Sequence, residues 1–527
     1  EYIFNGGGVA VSDFNNDGEK DLLIVAFVPH DPKVEGGDRR SDLILYKNLG
    51  KGKFSRVQSV KESTPSSYAM PATVADYNND GLLDFYVGFP GVKDFTTLAK
   101  VPHKAGNKVQ GIYTNLGNWK FGSKKTKLTE TSISKFMDTQ QIYPHSALSV
   151  DFDQDGDMDI VVVDDRGRLS PAYQNVGNGE FKQVAQQIGM VNRGYGMGVA
   201  AGDYDNDGRL DMLWTNVNFV AKDRLNFNRD QWHADSVPLL DNGGLKAFKG
   251  MGRGQFADVT KVLGLEYAGE GMAGVEFLDY NNDGHQDIYL ANGLWSGTDE
   301  KQDLSSLFVH STLKNDHGER VFMEIRHKTQ SNFMDILASF KGDVYSGKLG
   351  GERPHLAGHQ RNCLFRNNGD GSFTEVGFLE GVDSIADGYI IAKGDIDNDG
   401  DLDLVLRNGD PGTSDINFPA VQVFKNNAKQ PKSLRIKLVA VNSNRNAIGA
   451  EVSVKTKKIR QTQQMMANNG TAQSELVLHF GLGAESAAEE VVVRWPNGKK
   501  QIFQNIKAGT VILKESSPVY KRMAASK

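Results

Sequence analysis

Residues 13–21 read DFNNDGEKD and are followed at once by the apolar run LLIVAF. Three aspartates and two asparagines crowd around one glycine in this stretch of nine residues. The same pattern begins again at residues 76, 151, 203, 279 and 395, so the chain carries six copies at unequal spacing. Because the nonapeptide itself keeps its length, we expect insertions to lie between the copies and not inside them.

Each copy occupies the same place in a larger repeated unit. A glycine-rich apolar stretch precedes it, as in GMGVAAG at 196–202, and a short β-prone run follows, as in MLWTN at 212–216. A later signature such as AYQNVGNGEF at 172–181 is typical of a strand, a tight Asn/Gly turn and another strand. One unit is therefore predicted to be four short antiparallel strands, with the acidic loop joining the first two.

Tandem four-stranded units predict an all-β protein built around a β-propeller. Six blades carry the loop motif. The long interval between the copies at 279 and 395 has room for either a degenerate seventh blade or a long loop, and the spacing alone leaves both open.

The loops have the composition of a calcium site. Positions 1, 5 and 9 are Asp in all six copies, position 3 is Asp or Asn, and position 6 is always Gly, as expected where the backbone needs a positive φ. Position 7 varies without shared side-chain chemistry, so we expect it to offer its carbonyl oxygen. The alternative is a polar turn held by side-chain to backbone bonds, but 21 aspartates at positions 1, 3, 5 and 9 would repel one another without cations.

The sequence thus predicts up to six Ca²⁺ sites, which would change the net charge from −6 to +6. The predicted ligands are Asp13, Asn15, Asp17, Glu19 and Asp21 in loop 1; Asp76, Asn78, Asp80, Leu82 and Asp84 in loop 2; Asp151, Asp153, Asp155, Asp157 and Asp159 in loop 3; Asp203, Asp205, Asp207, Arg209 and Asp211 in loop 4; Asp279, Asn281, Asp283, His285 and Asp287 in loop 5; and Asp395, Asp397, Asp399, Asp401 and Asp403 in loop 6.

Charge divides the chain into two parts. Residues 432–527 hold 16 Lys or Arg against 6 Glu and no Asp, a net charge of +10. Since the whole chain has a net charge of −6, residues 1–431 have a net charge of −16. This step predicts a propeller at 1–430 and a small β domain at 431–527. The basic segment could bind a polyanion or form an ordinary solvated surface. Cys363 is the single cysteine, so no internal disulfide is available.

The loop and the Asn/Gly turn together resemble the FG-GAP (VCBS-type) repeat of integrin α-chain propellers. NRNAIGAEVSV at 444–454, HFGLG at 479–483 and VVVRWPNGKKQ at 491–501 resemble the ASPIC/UnbV domain of cartilage acidic protein-like proteins. The resemblance implies an integrin-like propeller with calcium in the hairpins between strands 1 and 2, followed by a small β domain. It favours seven blades, with six as the alternative, and implies no defined activity.

Four long insertions at 28–41, 90–111, 217–246 and 291–362 fall between the second and third strands. They are expected on the propeller face opposite the calcium loops, which we take as the candidate partner surface. The polar and aromatic residues singled out there are Trp232, His233, Asp235, Trp295, His310, His317, His327, His355 and His359. Residues 319–340 are predicted to form an amphipathic helix. HLAGH at 355–359 has the spacing of a transition-metal pair, with ordinary loop residues as the favoured alternative.

These features predict a calcium-stabilised adhesion or scaffold protein that binds an extracellular protein or glycan. The alternatives are a glycan-active enzyme of lyase or hydrolase type, or a periplasmic assembly factor, acting through the same face. Catalytic motifs outside the loops are missing from the sequence, so a binding role is favoured over catalysis. We expect an extracellular or periplasmic location, with any secretion signal removed ahead of Glu1, no transmembrane segment and no nucleic-acid partner. The oligomeric state is open.

Overall fold

The computed structural model describes residues 8–28, 40–61, 72–88, 110–123, 128–129, 144–165, 169–177, 180–217, 244–265, 268–269, 273–293, 296, 299–303, 354–355, 359–409, 419–427, 432–468, 470 and 472–523. These residues are largely β-strand, which confirms the predicted all-β class. The single helix among them is the one-turn α1 (Gly377–Glu380). Most of the four insertions lies outside the described residues, including residues 319–340. The same holds for seven of the nine residues singled out there, Trp232, His233, Asp235, Trp295, His310, His317 and His327.

Six successive sheets form the blades of the propeller, and within each the strands follow in chain order and pair antiparallel. Blade 1 is β1 (Val9–Ser12), β2 (Asp21–Val28), β3 (Arg40–Asn48) and β4 (Phe54–Lys61), and blade 2 is β5 (Ala72–Ala75), β6 (Asp84–Gly88), β7 (Gln110–Asn115) and β8 (Phe121–Ser123). The short β9 (Leu128–Thr129) pairs with the edge of blade 3, which is β10 (Pro144–Val150), β11 (Asp159–Asp164), β12 (Ala172–Asn175) and β13 (Phe181–Gln183).

Blade 4 is β14 (Gly196–Gly202), β15 (Asp211–Asn216), β16 (Gly244–Gly252) and β17 (Gln255–Asp258). Blade 5 is β18 (Val275–Leu278), β19 (Asp287–Leu290), β22 (Cys363–Asn367) and β23 (Phe373–Glu375), with β20 (Asp299–Asp303) and β21 (Pro354–His355) paired separately in parallel. Blade 6 has three strands among the described residues, β24 (Gly388–Gly394), β25 (Asp403–Asn408) and β26 (Val421–Phe424). A seventh blade stays a prediction.

Small residues in the first strands let neighbouring blades approach each other closely. Gly198 in β14 is the clearest case, because a Cβ there would lie 2.5 Å from the carbonyl oxygen of Ala273, just ahead of β18 in the next blade. This contact explains the glycine-rich stretch that precedes the acidic loop in the sequence.

Aromatic pairs join one blade to the next. The residue at position 2 of loops 1 to 4 packs against a phenylalanine at or next to the start of the fourth strand of the following blade, so the loop motif and the turn motif meet across these four junctions. Ring centroids lie 6.2 Å apart for Phe14 and Phe121, 5.7 Å for Tyr77 and Phe181, 6.3 Å for Phe152 and Phe256, and 5.9 Å for Tyr204 and Phe373.

The asparagine at the end of the third strand adds a buried hydrogen bond across the same junctions. Asn175 Nδ2 donates to the carbonyl oxygen of Tyr77 in blade 2 at 2.9 Å and to that of Met158 in its own blade at 3.2 Å. Equivalent bonds run from Asn115 to Phe14, from Asn367 to Tyr204 and from Asn426 to Tyr280. Blades 2, 3 and 5 are therefore attached to their predecessors by one ring contact and one amide, blade 4 by a ring contact and blade 6 by an amide.

The C-terminal residues form two four-stranded sheets. One is made of β27 (Ser433–Val439), β30 (Leu478–Gly481), β33 (Gly509–Lys514) and β34 (Lys521–Arg522), and the other of β28 (Glu451–Lys455), β29 (Arg460–Gln464), β31 (Ala487–Arg494) and β32 (Lys500–Lys507). Their inner faces share one core, in which Trp495, Phe480 and Val452 are buried.

A segment of this C-terminal domain, described at residues 465–468, 470 and 472–475, lies against the first strands of the propeller. Asn468 accepts a hydrogen bond from Thr73 Oγ1 and donates one to the carbonyl oxygen of Ala147. Gly470 packs so closely against blades 3 and 4 that a Cβ would lie 2.6 Å from Ser146 Oγ and 2.5 Å from the carbonyl oxygen of Val199. Because first strands converge on the axis of a propeller, this segment fills the centre of the ring.

The junction between blades 6 and 1 differs from the others. Ile396, at position 2 of loop 6, is 53% exposed, and Phe54, the fourth-strand phenylalanine of blade 1, is 42% exposed, so the ring contact of the first four junctions is not repeated here. Instead the side chain of Gln473 forms two hydrogen bonds with the backbone of Val11 in blade 1. The adjacent Ser474 Oγ accepts one from the amide of Lys393 in blade 6. The C-terminal domain therefore bridges the two ends of the blade series.

Replacing Asn175 with alanine should lower the free energy of unfolding by about 2–3 kcal/mol, because two hydrogen bonds to buried carbonyl oxygens are lost. Urea unfolding followed by circular dichroism measures this change. Asn427→Ala is the matched control at an exposed asparagine, and we expect it to stay within about 0.5 kcal/mol of the wild type. Equal effects of the two substitutions would contradict the role given to Asn175.

Candidate metal centre

The six loops share one backbone conformation. Glycine at position 6 has a positive φ in every copy, between 85° and 107°, which confirms the sequence prediction. Position 4 also has a positive φ, between 57° and 61°, and is Asn in five loops and Gln154 in loop 3. Asparagine tolerates this region better than most residues. Its recurrence at position 4 was the signal in the sequence that pointed to this second turn.

The aspartate at position 1 folds each loop around its carboxylate. Its Oδ2 accepts a hydrogen bond from the amide of the position 6 glycine in all six loops, at 2.7–3.0 Å. Its Oδ1 accepts the amide of position 5 in five loops. In loop 3 this second bond is missing, so Asp151 Oδ1 is buried without a hydrogen-bond partner.

The aspartate at position 9 joins the loop to the third strand. In loop 3, Asp159 accepts the amide of Phe152 at 3.1 Å and the amide of Asn175 at 2.8 Å. The same pair of bonds is found in the other five loops, with the amide of Gly250 replacing that of an asparagine in loop 4. Position 9 thus has a structural role in every blade in addition to the predicted ligand role.

Burial makes these carboxylates costly to ionise. Removal from water raises the pKa of Asp84 to about 8 and that of Asp287 to about 9, despite their backbone hydrogen bonds. At position 1, burial raises the pKa of Asp203 to about 7 and that of Asp279 to about 8. A cation among such groups would favour their ionised forms.

Three loops bring carboxylate oxygens within 4.8 Å of one another: Asp151, Asp153 and Asp159 in loop 3; Asp203, Asp205 and Asp211 in loop 4; and Asp395, Asp397 and Asp399 in loop 6. These are the loops with Asp at position 3. Asp205 Oδ1, like Asp151 Oδ1, is buried without a hydrogen-bond partner. Clustered oxygen donors with unpartnered buried atoms fit a hard divalent cation such as calcium.

Side chains at position 7 turn away from their own loop in three copies. Asp157 accepts a hydrogen bond from Asn79, His285 pairs with Asn206, and Asp401 accepts one from Asn282, in each case the position 4 residue of the preceding blade. In these three loops the position 7 side chain therefore joins its loop to the neighbouring one. Ligation through its carbonyl oxygen stays a prediction.

In some loops a basic side chain of the same blade is already paired with the loop carboxylates. The residue before the turn of the third strand is Lys47, Lys249 or Lys425 in loops 1, 4 and 6, and each forms an ion pair with a loop carboxylate. Loop 4 also has Arg209 paired with Asp207. In loop 3 the equivalent residue is the neutral Gln174, which donates to Asp153 at 2.6 Å. The loops therefore differ in how much of their negative charge is already compensated.

The C-terminal domain docks on the face of the propeller that carries the loops. Arg435 Nη1 lies 2.8 Å from Asp395 Oδ2 in loop 6, and Arg494 Nη2 lies 3.0 Å from Asp151 Oδ2 in loop 3. Arg445 Nε approaches Asp13 Oδ2 of loop 1 at 3.8 Å. Three basic residues of the C-terminal domain are thus paired with acidic loops of the propeller. These pairs give the charge division between the two parts of the chain a structural role.

Among the histidines singled out from the sequence, His359 is described with its side chain. Its amide donates to Ser296 Oγ, which in turn donates to Asp387 Oδ1, and this contact joins the two ends of the long insertion. The groups of metal-ligand side chains found among the described residues contain aspartates alone. The side chain of His355 lies outside the described residues, so the predicted pair of His355 and His359 stays a prediction.

Replacing Arg435 with methionine should destabilise the folded protein by about 3 kcal/mol or more, because Asp395 and Glu475 lose a buried partner. Arg460→Met is the matched control, since Arg460 pairs with Glu490 at the surface and should cost at most about 1 kcal/mol. Urea unfolding at fixed calcium concentration measures both. A cost for Arg435→Met no larger than that of the control would show that the buried pair does not hold the domains together.

Comparison with known proteins gives two family matches. The model of the FG-GAP-like repeat matches residues 13–87, 151–214 and 343–406, and the model named ASPIC and UnbV matches residues 440–518. Among the described residues, no helix is long and apolar enough to cross a bilayer.

Relatives include cartilage acidic protein 1 of Mus musculus, which is 23% identical over 93% of this chain and 70% of its own length. The proteins of the same name from Xenopus tropicalis and Homo sapiens are each 26% identical, over 60% and 51% of this chain and 44% and 39% of their own lengths. The chain thus matches less than half of these last two relatives.

Solved structures similar to the chain include the Vibrio cholerae biofilm matrix protein Bap1, at a TM-score of 0.30 and 11% identity over 99% of this chain and 61% of that one. A second is the rhamnogalacturonan lyase YesW, at a TM-score of 0.28 and 12% identity over 80% of this chain and 71% of that one. Scores this low do not establish a shared overall architecture. The sequence matches are the informative ones: the chain carries FG-GAP-like repeats and a C-terminal ASPIC and UnbV domain, and it is homologous to cartilage acidic protein 1.

Proposed function

We propose that the acidic loops bind Ca²⁺ and that the bound ions stabilise the propeller. The observation that carries this proposal is loop 3, where five aspartates share nine residues and Asp151 Oδ1 is buried, 1% of the residue being exposed, without a hydrogen-bond partner. A buried carboxylate oxygen without a partner is costly unless a cation compensates it. The ligands would be the aspartates and asparagines at positions 1, 3, 5 and 9, with the carbonyl oxygen of position 7.

Calcium fits these loops better than magnesium does. Calcium accepts six to eight oxygen ligands in a flexible shell and tolerates mixed carboxylate, amide and carbonyl donors, whereas magnesium requires a near-ideal octahedron and retains several waters. Loops 1, 2 and 5 have Asn at position 3 and so offer such a mixed set.

Stability that depends on weak calcium sites suits a location where calcium is abundant. We therefore propose an extracellular or periplasmic protein that serves as an adhesion or scaffold component. Its partner would be a protein or a glycan bound to the face of the propeller formed by the insertions. The C-terminal domain covers the opposite face, where the loops lie, and this supports the choice. A glycan-active enzyme or an assembly factor would use the same insertions, most of which lie outside the described residues.

Removing calcium with EDTA at pH 8 should lower the melting temperature by roughly 10 °C or more. This estimate assumes sites with Kd near the millimolar range, each contributing about 1–1.5 kcal/mol at several millimolar calcium. Differential scanning calorimetry measures the shift. Excess calcium should restore the original value and magnesium should restore little of it. A melting temperature that EDTA leaves unchanged would refute the proposal.

The effect of EDTA should shrink as the pH falls toward 5. The folded-state pKa values of Asp76, Asp203 and Asp279, at about 6, 7 and 8, lie above the unfolded value of 3.8. The cation-free protein therefore gains stability as the pH falls through these values, because protons neutralise the buried carboxylates. Calcium must displace those protons, so its contribution is largest above pH 8.

The loops should differ in calcium affinity according to the side chain before the third-strand turn. Lys249→Gln removes a positive charge from loop 4 and should strengthen calcium binding there about tenfold, and Gln174→Lys should weaken loop 3 by a similar factor. In isothermal titration calorimetry, each substitution should change the dissociation constant of one calcium site and leave those of the other sites unchanged. Lys261→Gln, at an exposed lysine away from the loops, is the control. Identical titrations for all variants would contradict the ranking.

A further inference from the structure

Four loop aspartates face two binding partners at once. At position 1 of loops 1, 3 and 6, Oδ2 faces Arg445, Arg494 and Arg435 of the C-terminal domain. In loop 5, Asp279 accepts the backbone N–H of Gly481, and a Cβ on Gly481 would overlap Asp279 Oδ2. The other oxygen, Oδ1, accepts the position 5 amide of its own loop in loops 1, 5 and 6 and is without a hydrogen-bond partner in loop 3. A cation and the docked domain would therefore bind different oxygens of the same carboxylates.

The docked state keeps these carboxylates away from water. Asp13, Asp151, Asp279 and Asp395 are all buried in the assembled protein. One guanidinium does not compensate a whole loop, since loop 3 has five aspartates and Arg494 supplies one positive charge. Arg494 and calcium repel one another, as Lys249 and calcium do in loop 4, but docking also removes the loop from water. A loop that keeps a charge of −5 costs more to bury than one that calcium has brought to −3. Burial of the loop consequently costs less when the cation is present.

We propose that calcium binding by the loops and docking of the C-terminal domain are positively coupled through the position 1 aspartates 13, 151, 279 and 395. Calcium favours the docked domain, and by reciprocity the docked domain raises the calcium affinity of the loops. This inference rests on the proposed function, because it requires that the loops bind calcium.

Docking can be weakened without altering any loop charge. Gly470 lies in the centre of the ring, and a Cβ there would lie 2.5 Å from the carbonyl oxygen of Val199. Gly498, in the turn between β31 and β32, also has a positive φ, at 78° against 61° for Gly470, but a Cβ there would meet no atom within 4 Å. Gly470→Ala and Gly498→Ala are therefore matched for backbone strain and differ in their contact with the propeller.

The first experiment is hydrogen–deuterium exchange on the full chain with calcium and with EDTA. On chelation, the amides of residues 465–468 and 472–475 should exchange about tenfold faster or more, because the segment leaves the centre of the ring. The amides of β28 and β31, which pair within the C-terminal domain, should stay protected. Their protection shows that the domain has undocked and not unfolded.

The second experiment is a calcium titration of the two glycine variants by isothermal titration calorimetry. Gly470→Ala should bind calcium about tenfold more weakly than Gly498→Ala at up to four sites, while protection of β28 and β31 remains. Equal affinities of the two variants, or an exchange rate at 465–475 that does not respond to calcium, would overturn the coupling.

The two levels of the hypothesis fail in different ways. If the wild-type chain binds no calcium in the titration, the proposed function itself is wrong. If calcium binds and raises the melting temperature but leaves exchange at residues 465–475 unchanged, the loops are calcium sites and the coupling to docking is refuted.

Discussion

Each blade depends on one buried carboxylate, that of the ninth loop residue, which receives one backbone amide from its loop and another from the third strand. No neutral side chain of the same shape can accept both bonds without presenting a donor to one of them. The fold therefore requires an acid at this place in every blade. Since position 1 is also an aspartate with a structural role, negative charge accumulates along one face of the ring, and that face must be compensated by cations or by basic side chains.

The compensation is divided among several sources. Lysines of the third strands neutralise part of loops 1, 4 and 6, arginines of the C-terminal domain reach loops 1, 3 and 6, and the remaining clustered oxygens fit calcium. Three of the 16 basic residues in 432–527, Arg435, Arg445 and Arg494, are thereby used within the molecule. The C-terminal domain is therefore joined to the propeller by ion pairs and is not an independent module.

The sequence was sufficient wherever six copies could be compared. Invariant aspartates, the glycine at position 6 and the strand pattern predicted the loops and blades, because the same physical requirement recurs in each copy. Docking of the C-terminal domain could not be predicted in this way. It depends on Gln473, Gly470 and Arg435, which occur once. The partners of Gln473 and Gly470 are hundreds of residues away in the chain, and Arg435 is 40 residues from Asp395. The asparagine bond between blades was present in the turn motif, but its acceptor is a backbone carbonyl, which leaves no trace in sequence.

The bridge between blades 6 and 1 has a consequence for the order of folding. The other junctions are formed by residues of adjacent blades, so each can form as soon as the next blade exists. The last junction depends on Gln473 and Ser474, which follow every described blade in the chain. During synthesis the six blades would emerge as an open arc, with Phe54 and Ile396 exposed at its ends. Among the described residues, the contacts that join blade 6 to blade 1 therefore form after the C-terminal domain has been made and has folded onto the ring.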